Sequence, residues 1–142
     1  MQYEKSCGAV VFTREGGKIK YVIVQANEGH RGFPKGLVEG AETEEQTALR
    51  EIREEVGLLP ELLPGFRVVT EYPLPGRPGV IKQAVYFAAE YSGQQIKRQE
   101  SEIARAVLCT CEEALGLLTY DNAKGILRKA DAFIAGRAAR ED

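Results

Sequence analysis

The sequence predicts a single α/β domain, of the α+β kind, in which helices pack against a β-sheet. Three observations support this prediction: β-rich runs lie on both sides of one central helical pattern, two further helical patterns end the chain, and no repeat or linker divides it. An apolar sheet face and an apolar helix stripe are each buried by packing on the other. We expect residues 1–142 to form one domain, since that length suits one core.

The first part of the chain predicts a β-hairpin followed by a polar loop. Residues 7–14 and 19–25 are rich in β-branched and aromatic residues, which favour strands. The pair Gly16-Gly17 lies between them, and such a pair is a strong hairpin signal. Residues 27–35 are polar and predict the loop that leads to the central helix.

The central helix has clear start and stop signals. Thr43 is a suitable N-cap, and Gln46, three residues later, completes a capping box. Gly57 follows the last helical residue, where glycine ends many helices. Apolar residues at helical spacing predict the face that turns to the core: Ala48, Leu49, Ile52 and Val56.

The second half of the chain predicts another hairpin and a last strand. Residues 59–65 contain two prolines and predict an irregular connection. Residues 66–74 and 80–90 predict the two strands of the hairpin, joined by a turn rich in proline and glycine. Residues 91–100 predict a polar loop, and residues 103–109 predict the last strand.

Two helices are predicted at the end of the chain. Residues 111–118 form the short one, and residues 121–138 form the longer one. The apolar stripe of the longer helix consists of Ile126, Leu127, Ala130, Phe133 and Ile134. A stripe of this kind favours core packing over a partner surface.

Composition and charge exclude several classes of protein. The chain is 44% hydrophobic and 28% charged, which is ordinary for a soluble globular protein. A net charge of −2 gives no reason to expect a nucleic-acid or membrane partner. No apolar run approaches the ~20 residues of a membrane helix, and the first residues lack a signal-peptide pattern. We therefore expect a cytoplasmic protein that is a monomer or a homodimer.

The three cysteines predict reduced thiols. An odd number, with Cys109 and Cys111 one residue apart, does not suit a disulfide framework. A zinc site would need further ligands, and His30 is the single histidine. Cys7 begins a strand-like run and is expected in the core.

The polar side of the central helix concentrates negative charge. Glu51, Glu54 and Glu55 are spaced i, i+3 and i+4, so their side chains share one flank, and Arg50 and Arg53 offset only part of the repulsion. A divalent cation would explain this arrangement, because hard cations prefer carboxylate oxygens. The alternative is a solvated acidic face.

The same stretch resembles the signature of the Nudix hydrolases. That signature runs glycine, five residues, glutamate, seven residues, Arg-Glu, apolar, any, Glu-Glu, any, glycine, apolar. The matching residues are Gly36, Glu42, Arg50, Glu51, Ile52, Glu54, Glu55, Gly57 and Leu58. The resemblance implies an α/β/α sandwich around a mixed β-sheet, and hydrolysis of a nucleoside diphosphate linked to another group.

Sequences outside the signature are similar to one branch of that family, the asymmetrical diadenosine tetraphosphatases. The local matches are residues 7–12, residues 22–26, the entry Phe33-Pro34-Lys35-Gly36, residues 82–90, residues 101–103 and residues 111–114. This resemblance implies cleavage of diadenosine tetraphosphate into ATP and AMP.

The resemblance also implies Mg²⁺ or Mn²⁺ as cofactor. Glu54, Glu55 and the main-chain carbonyl of Gly36 would be ligands. Glu51 would be either a further ligand or the group that positions and deprotonates water. Arg50 is expected to orient a neighbouring carboxylate through a bidentate pair, and the alternative is an ordinary surface salt bridge.

A further carboxylate is expected from outside the helix. Glu102 lies just before the last predicted strand, where the family has a downstream glutamate. We therefore expect Glu102 to be a metal ligand, with Glu100 as the alternative.

Basic residues outside the signature are candidates for binding substrate. Lys35 and Lys82 would neutralise phosphate charge beyond the metals, or else be solvated lysines. His30 and Arg31 lie in the loop that enters the site, and would contact phosphate or base.

Aromatic residues are candidates for the base. Tyr72 or Tyr86 would stack on adenine, because a purine suits an aromatic face, or else would pack in the core. Phe33 belongs to the same group of substrate residues through its place in the entry motif.

Two alternatives to a tetraphosphatase remain open. One is a pyrophosphohydrolase acting on nucleoside triphosphates, including oxidised ones, or on capped RNA ends. The other is a nucleotide-binding regulator without turnover, which would be expected to lack signature carboxylates.

Overall fold

The computed structural model describes the backbone of residues 2–141 and the side chains of residues 2–137. Its strands are β1 (Gln2–Glu15), β2 (Lys18–Ala26), β3 (Arg31–Gly32), β4 (Lys35–Leu37), β5 (Glu61–Pro73), β6 (Val80–Glu90) and β7 (Ile103–Cys109). Its helices are α1 (Glu44–Val56), α2 (Cys111–Leu117) and α3 (Asp121–Glu141).

The strands form one mixed sheet. Its main order is β3-β2-β1-β6-β5, with β4 added to β1 and β7 added to β2. The pairing of β1 with β6 is parallel, and the other pairings are antiparallel. The two predicted hairpins are present as β1–β2 and β5–β6.

Several predicted bounds are confirmed and others are wrong. Strands β6 and β7 have the predicted bounds. The predicted loop 27–35 contains β3 and the first residue of β4, because its ends pair with β2 and β1. The predicted connection 59–65 is strand from Glu61, although the pairing of β5 with β6 shifts register between Leu62 and Arg67.

Helix α1 begins and ends as predicted. Thr43 is the N-cap, and both hydrogen bonds of the capping box with Gln46 are present. Gly57 has φ of 69°, and its N–H donates to the carbonyl of Arg53. The prediction for Leu49 is wrong: it is 36% exposed, because the sheet covers a narrower stripe of the helix than the spacing suggests.

The core lies on both faces of the sheet. Helix α1 packs on one face through Ala48, Ile52 and Val56. Helices α2 and α3 pack on the other face, and of the predicted α3 stripe only Phe133 is partly exposed. The arrangement is the α/β/α sandwich around a mixed sheet that the sequence predicts. Within the described residues, no helix is both long and apolar enough to span a bilayer.

A glycine in β1 lets the loop before α1 lie close to the sheet. Gly8 pairs with Lys35 of β4. A Cβ atom at Gly8 would lie 2.1 Å from the carbonyl oxygen of Pro34, so a larger residue would displace that segment. Gly8 therefore permits the close approach of residues 34–35 to β1.

Candidate active site

Gly36 and Glu51 of the signature lie in direct contact. Strand β4 carries Gly36 beside α1, and a Cβ atom there would lie 2.1 Å from Cδ of Glu51. The carboxylate therefore occupies the space that a side chain at position 36 would fill. This contact explains why the pattern needs glycine at this position, and it brings the Gly36 backbone next to a signature carboxylate.

Arg50 holds several carboxylates at one side of α1. Its Nε and Nη2 atoms make a bidentate pair with Glu42, at 2.6 and 3.0 Å. Its Nη1 atom donates to Glu51 at 3.0 Å and to Glu54 at 3.2 Å, and Nη2 also donates to the carbonyl of Leu37. The expected bidentate pair is thus present, with Glu42 as its carboxylate.

The charge of Arg50 changes the acidity of Glu42. The hydrogen bond from Arg50, helped by one from the Glu39 main-chain N–H, lowers the pKa of Glu42 to about 2. The same carboxylates raise the pKa of Arg50. Arg50 is thereby a fixed cation that joins the β4–α1 loop to the helix.

Glu55 has the opposite environment. It is 6% exposed. Burial and, to a lesser extent, the charge of Glu51 raise its pKa to about 8, against the opposing influence of the main-chain N–H and ammonium group of Lys35. Burial also raises the pKa of Glu51, against the hydrogen bond from Arg50. A buried carboxylate of this kind is costly as an anion unless a cation compensates it.

The donor set fits a hard divalent cation, although the side chains do not form a closed cage. Among residues 2–137, no three metal-binding side chains converge as a ready-made site, and Arg50 engages both Glu51 and Glu54. The oxygens at hand are carboxylates and the Gly36 carbonyl, which are ligands that Mg²⁺ and Mn²⁺ prefer. A cation near Glu55 would offset the repulsion that raises its pKa.

Glu102 and Glu100 have different surroundings. Glu102 lines a cavity together with Glu55, and its charge adds to the raised pKa of Glu51 and of Glu55. The side chain of Glu100 is 84% exposed, and its partner is Arg98 at 3.9 Å. The structure therefore places Glu102, and not Glu100, beside the helix carboxylates.

Two cavities meet beside these residues and share a wall. The acidic cavity has a volume of about 640 Å³ and includes Glu55 and Glu102. The aromatic cleft has a volume of about 660 Å³ and includes Tyr72, Tyr86 and Lys82. The shared wall consists of His30, Gly32, Phe33 and Lys35. The two cavities are therefore adjacent, with this wall common to both.

Lys35 lies between the two compartments. Burial lowers its pKa, and so does the charge of Lys82, while Glu55, Glu51 and Glu4 oppose the shift. Its neighbours thus include acidic and basic groups at once. That position suits contact with a chain of phosphates that extends across both compartments.

All the residues predicted to bind substrate line the aromatic cleft: His30, Arg31, Phe33, Lys35, Tyr72, Lys82 and Tyr86. Tyr86 is 8% exposed and packs edge-on against Phe33, with ring centroids 5.6 Å apart. Tyr72 is half-buried. Of the two tyrosines, Tyr72 therefore offers more ring surface to a ligand, while Tyr86 supports the wall.

Lys82 is not a solvated lysine. It is 8% exposed, and its Nζ atom lies 3.2 Å from Oε1 of Glu4. Glu4, Lys82 and Tyr72 are paired across β1, β6 and β5, so they form one row on the sheet, of which Lys82 and Tyr72 line the cleft. The other oxygen of Glu4 accepts a hydrogen bond from Arg77, in the turn between β5 and β6.

Tyr120 is a residue of the site that was not predicted from the sequence. This residue is 58% exposed, lines the aromatic cleft, and lies against His30 with ring centroids 6.4 Å apart. The N–H of Thr119 donates to the carbonyl of Arg31, and the N–H of Arg31 donates to Oγ1 of Thr119, so the two segments are bonded together. A tyrosine just before the first residue of α3 was the available signal, but its place opposite His30 depends on how α2 and α3 pack.

Comparisons with known proteins agree with this geometry. The family model of the NUDIX domain matches residues 3–129. The asymmetrical bis(5'-nucleosyl)-tetraphosphatase of Caenorhabditis elegans is 31% identical, over 93% of this chain and 97% of that protein. The Sus scrofa protein of the same name is 29% identical, over 95% and 98%.

Solved structures of related proteins are also similar to this chain. The crystal structure of a C. elegans Ap4A hydrolase binary complex has a TM-score of 0.85 and 27% identity, over 94% of this chain and 98% of that chain. The Escherichia coli dihydroneopterin triphosphate pyrophosphohydrolase, at 20% identity and a TM-score of 0.72, shares the fold. The signature on α1, with the carboxylates around it, and these matches all indicate one family. The chain belongs to the Nudix hydrolases, a family of enzymes that generally use divalent metal ions and act on small nucleotide-like substrates.

Proposed function

We propose that this enzyme hydrolyses diadenosine tetraphosphate, or a similar dinucleoside polyphosphate, into ATP and AMP, with Mg²⁺ or Mn²⁺ as cofactor. The observation that carries the proposal is the adjacent pair of cavities, one acidic and one aromatic, with Lys35 on their shared wall. The relatives named as asymmetrical bis(5'-nucleosyl)-tetraphosphatases support the choice of substrate.

The acidic cavity would hold the reacting phosphate. Glu54, Glu55, Glu102 and the Gly36 carbonyl are the proposed ligands, and Glu51 is either a further ligand or the group that positions and deprotonates water. A divalent cation, when bound, neutralises phosphate charge and lowers the pKa of water. Arg50 contacts no substrate in this scheme, because its guanidinium group is occupied by Glu42 and its neighbours.

The aromatic cleft would hold one nucleoside. Tyr72 and Tyr120 line it. Burial raises the pKa of Tyr72, and the phenolate form of Tyr120 adds a smaller repulsion, so the two side chains are near each other. An adenine ring would stack on these faces. Lys35 and Lys82 would then contact phosphates between the base and the reacting centre.

The alternative of a triphosphate pyrophosphohydrolase explains less of the site. A nucleoside triphosphate is shorter and would have less use for Lys82, which lies in the β1–β6–β5 row away from the signature. The alternative of a regulator without turnover is opposed by the presence of Glu51, Glu54 and Glu55.

Product analysis tests the proposal. The protein is incubated with diadenosine tetraphosphate and Mg²⁺ in ¹⁸O-labelled water, beside a panel of nucleoside triphosphates, and the products are identified by mass spectrometry. We expect ATP and AMP, with the label in AMP, because water attacks the phosphate fourth from the adenosine of the departing ATP. The bond from that phosphorus to the ATP oxygen breaks, and the new oxygen stays on AMP. Label in ATP, two ADP products, or faster cleavage of a triphosphate would overturn the assignment.

A further inference from the structure

We propose that Asn27 is a positioning residue, which acts together with a β-bulge at Ala104 to hold Glu102 beside the carboxylates of α1. The proposal rests on the proposed function, in which Glu102 takes part in catalysis. It concerns residues outside the signature, and it explains how a loop carboxylate becomes fixed at a site built on a helix.

The bulge appears in the pairing of β2 with β7. Val24 pairs with Ala106 and Gln25 with Arg105, but Ala26 pairs with Ile103. Ala104 is therefore an extra residue on β7, without a partner on β2. Bulges of this kind bend a strand and redirect the side chains beyond them.

The faces of β7 show the redirection. Ala106 and Leu108 pack on the core beneath α1, as expected for alternate residues of a strand. In a regular strand Ala104 would follow them on that face, but Ala104 is exposed and Ile103 is buried there at 4%. The bulge thus changes which face the side chains occupy at the beginning of β7, next to Glu102.

Asn27 holds residues 101–102, which come just before the bulge in the chain. Its main-chain N–H donates to the carbonyl of Glu102 at 3.1 Å. Its side-chain Nδ2 donates to the carbonyl of Ser101 at 2.8 Å. Asn27 itself is exposed, so no core packing explains its place. Its contacts instead join the end of β2 to the two residues that lead into β7.

The end of α1 holds the same segment from the opposite direction. The N–H of Gln99 donates to the carbonyl of Glu55 at 2.9 Å, and the N–H of Glu102 donates to the carbonyl of Gln99 at 3.2 Å. The turn 99–102 is therefore bonded to the backbone of a buried signature glutamate and to Asn27. Glu102 lies between these anchors, and loss of the Asn27 anchor would release one side.

The test compares Asn27→Leu with Gln25→Met. Asn27→Leu keeps the branching at Cγ and removes the Nδ2 donor. Gln25→Met removes a side-chain bond within the same loop, from Gln25 to the carbonyl of Gly29, that does not reach the segment of Glu102. We expect Asn27→Leu to lower kcat on diadenosine tetraphosphate ~3- to 10-fold, about the worth of one hydrogen bond, with KM nearly unchanged. Gln25→Met should leave both constants within twofold.

A double-mutant cycle shows whether Asn27 acts through Glu102. In the background of Glu102→Gln, Asn27→Leu should have little further effect on kcat, because the group that it positions is already inactive. Asn27→Gln, which keeps a donor, should restore part of the rate. Binding of Mn²⁺, followed by electron paramagnetic resonance without substrate, should be weakened in Glu102→Gln and, by a smaller factor, in Asn27→Leu.

The outcomes separate this inference from the proposed function. A wild-type kcat for Glu102→Gln would remove Glu102 from catalysis and so contradict the proposed role of that residue. A low kcat for Glu102→Gln with a wild-type kcat for Asn27→Leu would overturn the positioning role alone. Equal losses from Asn27→Leu in both backgrounds, or a loss explained by a lower melting temperature, would also overturn it.

Discussion

The two ends of the signature helix carry glutamates whose pKa values are shifted in opposite directions. At its beginning, Glu42 and Glu44 are paired with arginines, and the pKa of each is lowered to about 2. At its end, Glu55 is buried beside other acids, and its pKa is raised to about 8. A carboxylate whose partner is inside the protein stabilises the fold. A buried carboxylate that lacks an arginine partner, such as Glu55, is available for a cation from solution.

The largest expected effect comes from the signature carboxylates near the end of the helix. Glu54→Gln should keep the fold, since its side chain is 40% exposed, and should lower kcat by ~10²-fold or more, the scale for loss of a key electrostatic group. Steady-state kinetics with diadenosine tetraphosphate measure this. Glu44→Gln, at the other end of the helix, is the matched control and should keep kcat within about twofold. Near wild-type turnover by Glu54→Gln would remove Glu54 from the site.

A smaller loss of activity is expected from a substitution in the aromatic cleft. Lys82→Ala should lower kcat/KM for the tetraphosphate by ~10-fold, the worth of one charged hydrogen bond, and should affect a nucleoside triphosphate less. Lys124→Ala is a suitable control, because Lys124 pairs with Asp121 at 4.0 Å. Equal losses for both substrates would argue against contact between Lys82 and the additional phosphates.

Metal binding at the carboxylates near the end of α1 should stabilise the protein. Mn²⁺ at ~100 times its dissociation constant should add about 2.7 kcal/mol to the free energy of unfolding, which raises Tm by several degrees. Differential scanning fluorimetry at constant ionic strength measures the shift. It should shrink in Glu55→Gln and persist in Glu44→Gln; a shift of equal size in both variants would place the bound metal elsewhere.

The smallest expected effect is on the stability of the protein at low pH, through Glu44 at the beginning of α1. Glu44 accepts hydrogen bonds from Nε and Nη2 of Arg67, each at 2.8 Å, and lies 2.5 Å from Nζ of Lys5. Its folded pKa, lowered to about 2, lies below the ordinary 4.5, so its stabilisation is full above pH 4.5 and is lost as pH falls towards 2.

Urea unfolding at pH 6 and pH 3 tests this. Wild type should lose more stability between these values than Glu44→Gln does, by about 1 kcal/mol or less, because Arg67 is half exposed. Parallel pH profiles for the two proteins would show that the pair contributes nothing to stability.

Local signals predicted much of the fold. The capping box at Thr43 and the αL residue Gly57 act within one helix, so their residues specify the helix bounds without tertiary information. Strands β6 and β7 are long apolar runs with clear ends. The spacing of the signature likewise placed Glu51, Glu54 and Glu55 on one helix, since an α-helix fixes which positions share a face.

Contacts between distant segments were harder to predict. Strands β3 and β4 are short, and they exist because β2 and β1 lie beside them. The partner of Lys82 is Glu4, which comes from a strand 78 residues earlier. Tyr120 joins the cleft only through the packing of the last two helices. None of these contacts has a periodic pattern in the sequence, because each depends on the sheet order.

The parallel pairing of β1 with β6 has a consequence for synthesis of the chain. Gln2 pairs with Val80 and Phe12 with Glu90, so one edge of β1 has no partner until β6 has left the ribosome. Open strand edges promote association between chains, and pairings of long sequence separation form slowly. The nascent chain should therefore need protection by chaperones during the interval between these two strands, although the first hairpin can form early.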